Sequence, residues 1–275
     1  MVDSFFKTRP YFIMGILNTT PDSFSDGGEF TDVEAAVTHA EQMVNNGVDI
    51  IDVGGESSRP GAKSISIDEE ISRVIPVIKK IRDRFDVLIS IDTVKSEVAK
   101  EALDAGAFMV NDISAGRQDT GMADLVASQN CFVTLMHSRK KPENMQDSPY
   151  YKNVVIDVQK ELMDSVKMFE SCGVASEKII IDFGIGFSKR FEDNIDLLAN
   201  TKKFTGLGYP VLIGTSRKSF IDKITNQELP KNRVAGSLAS IAHAYLQGAK
   251  IFRVHDVRET VDFLEVITNI EAASE

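Results

Sequence analysis

The feature that most constrains this chain is a pattern that repeats eight times: a short, nearly continuous apolar run, a polar tip, then a stretch with helical spacing. The runs cover 12–17, 48–53, 87–91, 107–110, 131–136, 178–181, 211–213 and 251–255. Strands that are apolar throughout, instead of alternating, belong to parallel sheets covered on both faces. Between and after them, 33–46, 67–85, 94–105, 122–129, 153–172, 192–204, 233–247 and 256–270 have the spacing of amphipathic helices. Asp32 and Asp256 stand at expected N-caps, and Gly47, Gly106 and Gly248 at expected stops. Eight strand–helix units are the number that closes a (β/α)8 TIM barrel. An open doubly wound sheet is the alternative, and the lack of a G-x-G-x-x-G after the first run counts against it. No linker or shift in composition divides the 275 residues, so one α/β domain over 1–275 is expected.

Composition narrows the partners. A net charge of −10 offers no basic face for nucleic acid, so none is expected, and any anionic ligand must be held by locally placed cations. No run is long enough to cross a bilayer, and no basic segment with a signal-length apolar stretch opens the chain. Cys131 and Cys172 have neither metal-site nor disulfide-framework spacing. Reduced, packed thiols in a cytoplasmic protein with no membrane partner are the expectation.

In a barrel of this kind the site lies at the C-terminal ends of the strands. Those ends read Asn18, Gly55, Asp92, Asn111, His137, Asp182, Lys218, and Arg253 with His255. Each has a plain structural reading. Asp92 could cap a helix, Asn111 could form a turn, Asp182 could start a glycine-rich turn, Lys218 could be a solvated helix residue, and His255 could bond a loop. Packing does not explain so many ionisable or amide side chains at one end of one barrel. Asp92, Asn111 and Asp182 suit the donor and acceptor edge of a flat heterocycle such as an aminopyrimidinone. Arg253 can lie on a π-face. Arg253 and His255, beside the start of the last helix and across from Asn18, suit an anion. Lys218 can bridge the ring and a second substrate.

The loop after the first run, 19–28, is longer than an ordinary βα connection and holds Thr, Pro, Asp, Ser, Phe and two glycines. Such loops in compact domains usually carry function.

The segments LNTTPDSFSDGG, DVGGESSRPGA, SIDT, NDIS, LMH, DFGIGFSK, GTSRKSF and RVHD, in this order from about residue 12 to 256, resemble the dihydropteroate synthase family. Each motif is weak alone; the ordered set is specific. The resemblance implies condensation of 6-hydroxymethyl-7,8-dihydropterin pyrophosphate with p-aminobenzoate, with release of pyrophosphate, in folate biosynthesis. By position, it implies that Asp92, Asn111, Met136, Asp182, Lys218 and Arg253 hold the pterin. Asn18, Arg253 and His255 would take the pyrophosphate, with Asn18 on Mg²⁺. Phe24, Ser58, Arg59, Pro60, Phe187, Lys218 and Ser219 would surround the aminobenzoate. Asp92, Asp26 and Lys218 would be catalytic, the two carboxylates stabilising a pterin cation as pyrophosphate leaves. The resemblance also implies a homodimer, sulfonamides as competing ligands, and mobile loops after the first two strands. Asn18 would then be a fixed strand-tip ligand, and 19–28 a lid hinged at Gly27 and Gly28.

The chain departs from the family pattern in three places. Phe183 stands where Asp-Pro-Gly has its proline, freeing φ there, and its ring could pack outward or reach into the pocket. Ser188 replaces a common Gly or Ala, and Ser58 a commoner Thr. The alternatives to a synthase are a corrinoid-linked methyltransferase on the same fold, a pterin-binding paralogue without catalysis, and a Schiff-base aldolase built on Lys218. The SSRPG and SRKS segments are not expected in the first of these.

Overall fold

The computed structural model describes residues 5–20 and 29–273. Its elements begin with β1 (Phe12–Asn18), α1 (Glu29–Asn45), β2 (Ile50–Gly54), α2 (Ile67–Arg84), β3 (Leu88–Asp92) and α3 (Ser96–Asp104). They continue with β4 (Met109–Asp112), α4 (Gly121–Gln129), β5 (Phe132–Met136), α5 (Val154–Ser171) and β6 (Ile179–Asp182). The last third holds α6 (Phe191–Ala199), α7 (Thr201–Thr205), β7 (Leu212–Ile213), α8 (Ser219–Thr225), α9 (Val234–Leu246), β8 (Ile251–Val254) and α10 (Val257–Ala272). The strands pair in parallel in the order β6-β5-β4-β3-β2-β1-β8-β7. An isolated parallel bridge between Ile181 and Val211 joins the two ends. The eight-unit pattern is therefore a (β/α)8 barrel.

Two apolar clusters follow from the two faces of the strands. Outward residues such as Ile13, Ile51, Ile89, Val133 and Ile181 pack under the helices. Inward residues Phe12, Met14, Ile50, Met109, Phe132, Ile180, Leu212 and Ile251 fill the lower barrel. A short 3₁₀ turn, Phe5–Lys7, closes the bottom, with Phe5 and Phe6 packed on Phe12 and Phe132. The sequence reading contained no such plug.

Several boundaries differ from expectation for identifiable reasons. β2, β3, β4 and β6 run past their apolar segments to include Gly54, Asp92, Asn111 with Asp112, and Asp182. The ladder needs only backbone groups, so polar side chains at the rim do not end it. Helix α1 starts at Glu29, so Asp32 lies in its first turn instead of at its cap; the last glycine before it is Gly28. The expected helix 192–204 is interrupted at Asn200, whose backbone leaves helical geometry while its amide donates to the Asp196 carbonyl (2.8 Å). Helix α8 is an extra element ahead of α9.

Candidate active site

Strand register sets the rim level. Asn18 pairs with Gly54, Gly54 with Asp92, Asp92 with Asn111, and Met136 with Asp182. Side chains alternate along a strand, so residues two beyond the inward Ile50, Met109, Ile180 and Ile251 also face inward. These are Asp52, Asn111, Asp182 and Arg253. A polar layer thus sits directly on the apolar lower barrel.

Within that layer one guanidinium ties three strands together. Arg253 Nε donates to Asp52 Oδ2 and one of its terminal nitrogens to Asp92 Oδ2, both at 2.6 Å. Asn111 donates its amide to the same Asp52 oxygen at 3.0 Å. The other Asp52 oxygen is buried with no hydrogen-bond partner. Burial pushes the Asp92 carboxyl up to about 7, although the Arg253 charge beside it pulls the other way. Burial also raises Asp182, opposed by the Lys218 charge, while its Oδ1 accepts from the Gly184 N–H at 2.7 Å.

Above this layer opens a cavity of about 560 Å³. Asn18, Ser58, Arg59, Pro60, Asn111, Met136, Asp182, Phe187, Lys218, Ser219, Arg253 and His255 all line it. Asp92 does not: it stands behind Arg253 and borders a small recess shared with Glu56, Glu70 and Ser58. Lys218 donates to the Ile185 carbonyl, and its ammonium lies 4.8 Å from the centre of the Phe187 ring. Burial lowers its pKa to about 8, against the pull of Asp182. The His255 ring Nδ1 is 3.0 Å from the Ser216 hydroxyl. Burial, then the charges of Arg253 and Arg217, lower His255 to about 3, so the ring is neutral near pH 7. Phe24, Asp26, Gly27 and Gly28 lie outside the described residues.

No group of three His, Cys, Asp or Glu side chains among the described residues is placed to hold a metal ion. The Asn18 amide still offers one hard oxygen at the rim of β1. Mg²⁺ commonly takes only one or two protein oxygens and completes its shell with water and phosphate oxygens, so this donor suits it when a pyrophosphate is present.

Known proteins resemble this chain in sequence and fold. Residues 14–255 match the family model for pterin binding enzymes. Dihydropteroate synthase of Clostridium beijerinckii is 46% identical over 249 residues, covering 90% of each chain. The chain belongs to the dihydropteroate synthase family. The solved Xanthomonas albilineans dihydropteroate synthase with 4-aminobenzoic acid superposes with a TM-score of 0.90 at 45% identity, covering 95% of this chain and 93% of that one. The Yersinia pestis dihydropteroate synthase in a sulfonamide drug complex gives 0.89 at 41%, covering 95% and 94%.

Two of the three departures from the dihydropteroate synthase pattern now have physical accounts. Phe183 is fully buried and packs outward on Phe204, with ring centroids 4.6 Å apart; it does not reach the cavity. Ser188 adopts a left-handed backbone, φ 51°, where a glycine would cost nothing. Its hydroxyl offsets part of that strain by accepting from the Lys140 N–H (3.2 Å) and contacting the Ser138 hydroxyl (3.3 Å). Ser58 borders both the cavity and the recess.

One strand-tip reading is overturned. His137 does not face the site: its ring is buried outside the barrel, Nε2 at 2.9 Å from Glu161 and Nδ1 at 3.1 Å from the Lys189 ammonium. Met136 takes the inward position, so the next residue along the strand must point outward. The reading also missed Asp52, Ser216 and Gln146. Asp52 had a usable signal, an ionisable residue within an otherwise apolar strand. Ser216 and Gln146, both in loops and both lining the cavity, had none.

Proposed function

We propose that this chain is a dihydropteroate synthase, condensing 6-hydroxymethyl-7,8-dihydropterin pyrophosphate with p-aminobenzoate to give 7,8-dihydropteroate and pyrophosphate. One observation carries the reading: a single cavity joins a polar slot, a corner whose side chains suit an anion, and a mouth that carries the Phe187 ring. Asn111, Asp182 and Lys218 form the slot with Arg253; Asn18 and His255 form the corner; Phe187, Ser58, Arg59, Pro60 and Ser219 form the mouth.

In the reaction the bond between the pterin methylene carbon and the pyrophosphate oxygen breaks, and pyrophosphate leaves with the electron pair. The lone pair of the aminobenzoate nitrogen forms the new C–N bond, and that nitrogen then releases a proton. Asp92, and Asp26 by its place in the motif, stabilise the positive charge that develops on the pterin. The Asp182 carboxylate and Asn111 amide fix the ring in its plane. Arg253 is held by Asp52 and Asp92 at the pterin face, and with His255 it receives the departing anion. A neutral His255 gains a proton-donor role when that anion arrives, because the added negative charge raises its pKa. Lys218, poised between Asp182 and Phe187, contacts both substrates. Asn18 would hold Mg²⁺, which would supply charge neutralisation for the leaving group. The aminobenzoate nitrogen is already neutral near pH 7, so the site needs no strong general base.

Sulfonamides compete at the mouth in this reading. The exposed apolar residues Leu246, Val266 and Ile270 on α9 and α10 support a homodimer through the late helices. The free thiols Cys131 and Cys172 suit a cytoplasmic setting. No helix among the described residues is long and apolar enough to cross a membrane. The test is pyrophosphate release with each substrate and Mg²⁺ omitted in turn. Release is expected only with all three, and release independent of p-aminobenzoate would sink the assignment.

A further inference from the structure

The loop that carries Ser58, Arg59 and Pro60 is closed at its base by a group outside the substrate cavity. It leaves β2 at Gly55 and re-enters the fold at Ser66, whose hydroxyl caps α2 by accepting from the Glu69 N–H at 3.2 Å. Lys95, at the N-cap position of α3, reaches across from the neighbouring unit. Its ammonium makes three contacts: Glu56 Oε2 at 2.6 Å, the Ile65 carbonyl at 3.0 Å and Glu70 Oε2 at 2.5 Å. An ammonium has three N–H donors, so its capacity is filled. The same Glu56 oxygen also accepts from the Ile65 N–H at 3.0 Å. The first and last turns of the loop are therefore bonded twice, once directly and once through Lys95.

The anchor beneath is firm. Glu70 is 1% exposed, and its second oxygen has no hydrogen-bond partner. Lys95 is thus the cation that pairs with a buried carboxylate through one of its two oxygens. Burial alone would lower the Lys95 pKa, but the hydrogen bonds to Glu56 and Glu70 outweigh it and the value is raised. Gly55 is needed for the approach, since a Cβ there would lie 2.8 Å from Val74 Cγ1 and 3.2 Å from the Glu70 carbonyl. Further out, the Gly61 N–H donates to the Pro142 carbonyl at 3.0 Å, the second fastening of the same loop.

We infer that Lys95 is a positioning residue for the second substrate: with Glu56 it clasps both ends of the 56–65 loop and so sets where Ser58, Arg59 and Pro60 meet the aminobenzoate. The inference rests on the synthase reading above. Lys95 does not line the cavity and lies outside the strand-tip layer to which the pterin is assigned. Releasing the clasp therefore weakens one substrate and spares the other.

The test is steady-state kinetics of Lys95→Met, Lys95→Arg and Glu56→Ala, with Lys100→Met as an exposed control on the same helix. Lys95→Met is expected to raise KM for p-aminobenzoate roughly tenfold or more, the scale of a misplaced binding group. KM for the pterin pyrophosphate should stay within about twofold, and the inhibitory concentration of a sulfonamide should rise in parallel with KM for p-aminobenzoate. Lys95→Arg should restore part of the effect, and Lys100→Met should match wild type. Glu56→Ala keeps the buried Lys95–Glu70 pair, so its KM shift decides the matter if Lys95→Met fails to fold. A lowered Tm or active fraction with an unchanged KM for p-aminobenzoate would overturn the inference. If wild type itself shows no p-aminobenzoate dependence, the synthase reading fails first. The clasp alone is then judged by amide exchange over 57–64, which Lys95→Met must accelerate.

Discussion

The two halves of the cavity are built by different means. The floor is the polar layer carried by the strands: Asn111 and Arg253 line the cavity, and Asp52 and Asp92 hold them from behind through short bonds between side chains that are buried or nearly so. The mouth is made of loop residues. Arg59, Pro60 and Ser219 are exposed, and Ser58 and Phe187 are half-buried. A barrel strand fixes its side chains through the ladder on both sides, so the pterin floor is positioned by the fold itself. A loop has no such ladder and depends on a few fastenings, here Lys95 with Glu56, and Gly61 on Pro142. The contrast suits the chemistry. In the proposed reaction the substrate that must bear positive charge is assigned to the pre-organised side, where fixed dipoles and charges count most. The incoming nucleophile is assigned to the loop-built side.

The largest expected effect tests the floor. Asp92→Asn keeps Arg253 paired with Asp52 but removes the carboxylate that stands behind it, and turnover should fall about 10²–10³-fold, as when other pre-organised stabilising groups are removed. Measured kcat within about threefold of wild type would end the charge-stabilising role and make the floor a binding surface only. A smaller effect tests the mouth. Phe187→Ala removes the ring 4.8 Å from the Lys218 ammonium. An aromatic and cation–π contact of about 1 kcal/mol corresponds to a change of five- to tenfold, expected in KM for p-aminobenzoate. The same change appearing in KM for the pterin would erase the distinction between the halves.

The smallest effect lies behind both. Burial, then the Lys189 charge, lowers His137 from 6.5 to about 3, and Glu161 falls to about 2 through hydrogen bonds to His137 and Arg139 that outweigh its own burial. Between about pH 3 and 6.5 the unfolded chain binds a proton on His137 that the folded chain refuses. Stability therefore rises with pH across that window and is lost as pH falls through it. His137→Gln should flatten the Tm against pH curve between pH 4 and 6.5 and leave both KM values unchanged at pH 7.5. A shifted KM would mean that this outer network reaches the cavity through Lys189, which also holds the Phe187 carbonyl at 2.9 Å.

The floor was more legible in the sequence than the mouth, and for the same physical reason. Asn18, Asn111, Asp182 and Arg253 stand out because a strand buried on both faces tolerates few polar residues, so each one that occurs is conspicuous. Asp52 belonged to that set and was hidden only by its place within the run instead of at its tip. Ser58, Arg59, Pro60 and Phe187 carry no such signal. Polar, glycine- and proline-rich loops are ordinary, and these residues were identified by motif resemblance alone. His137 shows the opposite error: a polar residue at a strand tip that alternation turns away from the site.

By itself, then, the sequence determined the barrel, since eight apolar runs alternating with amphipathic segments admit little else, and it determined which residue types stand at the rim. Only the tertiary structure decided which of them face inward, that Arg253 bridges Asp52 and Asp92, that Phe183 packs away from the cavity, and that Lys95 closes a loop belonging to another unit. These depend on strand register and on contacts between residues far apart in the chain, such as Asp52 and Arg253 or Glu56 and Lys95. Local periodicity encodes the faces of an element, but not the neighbour that each face will meet.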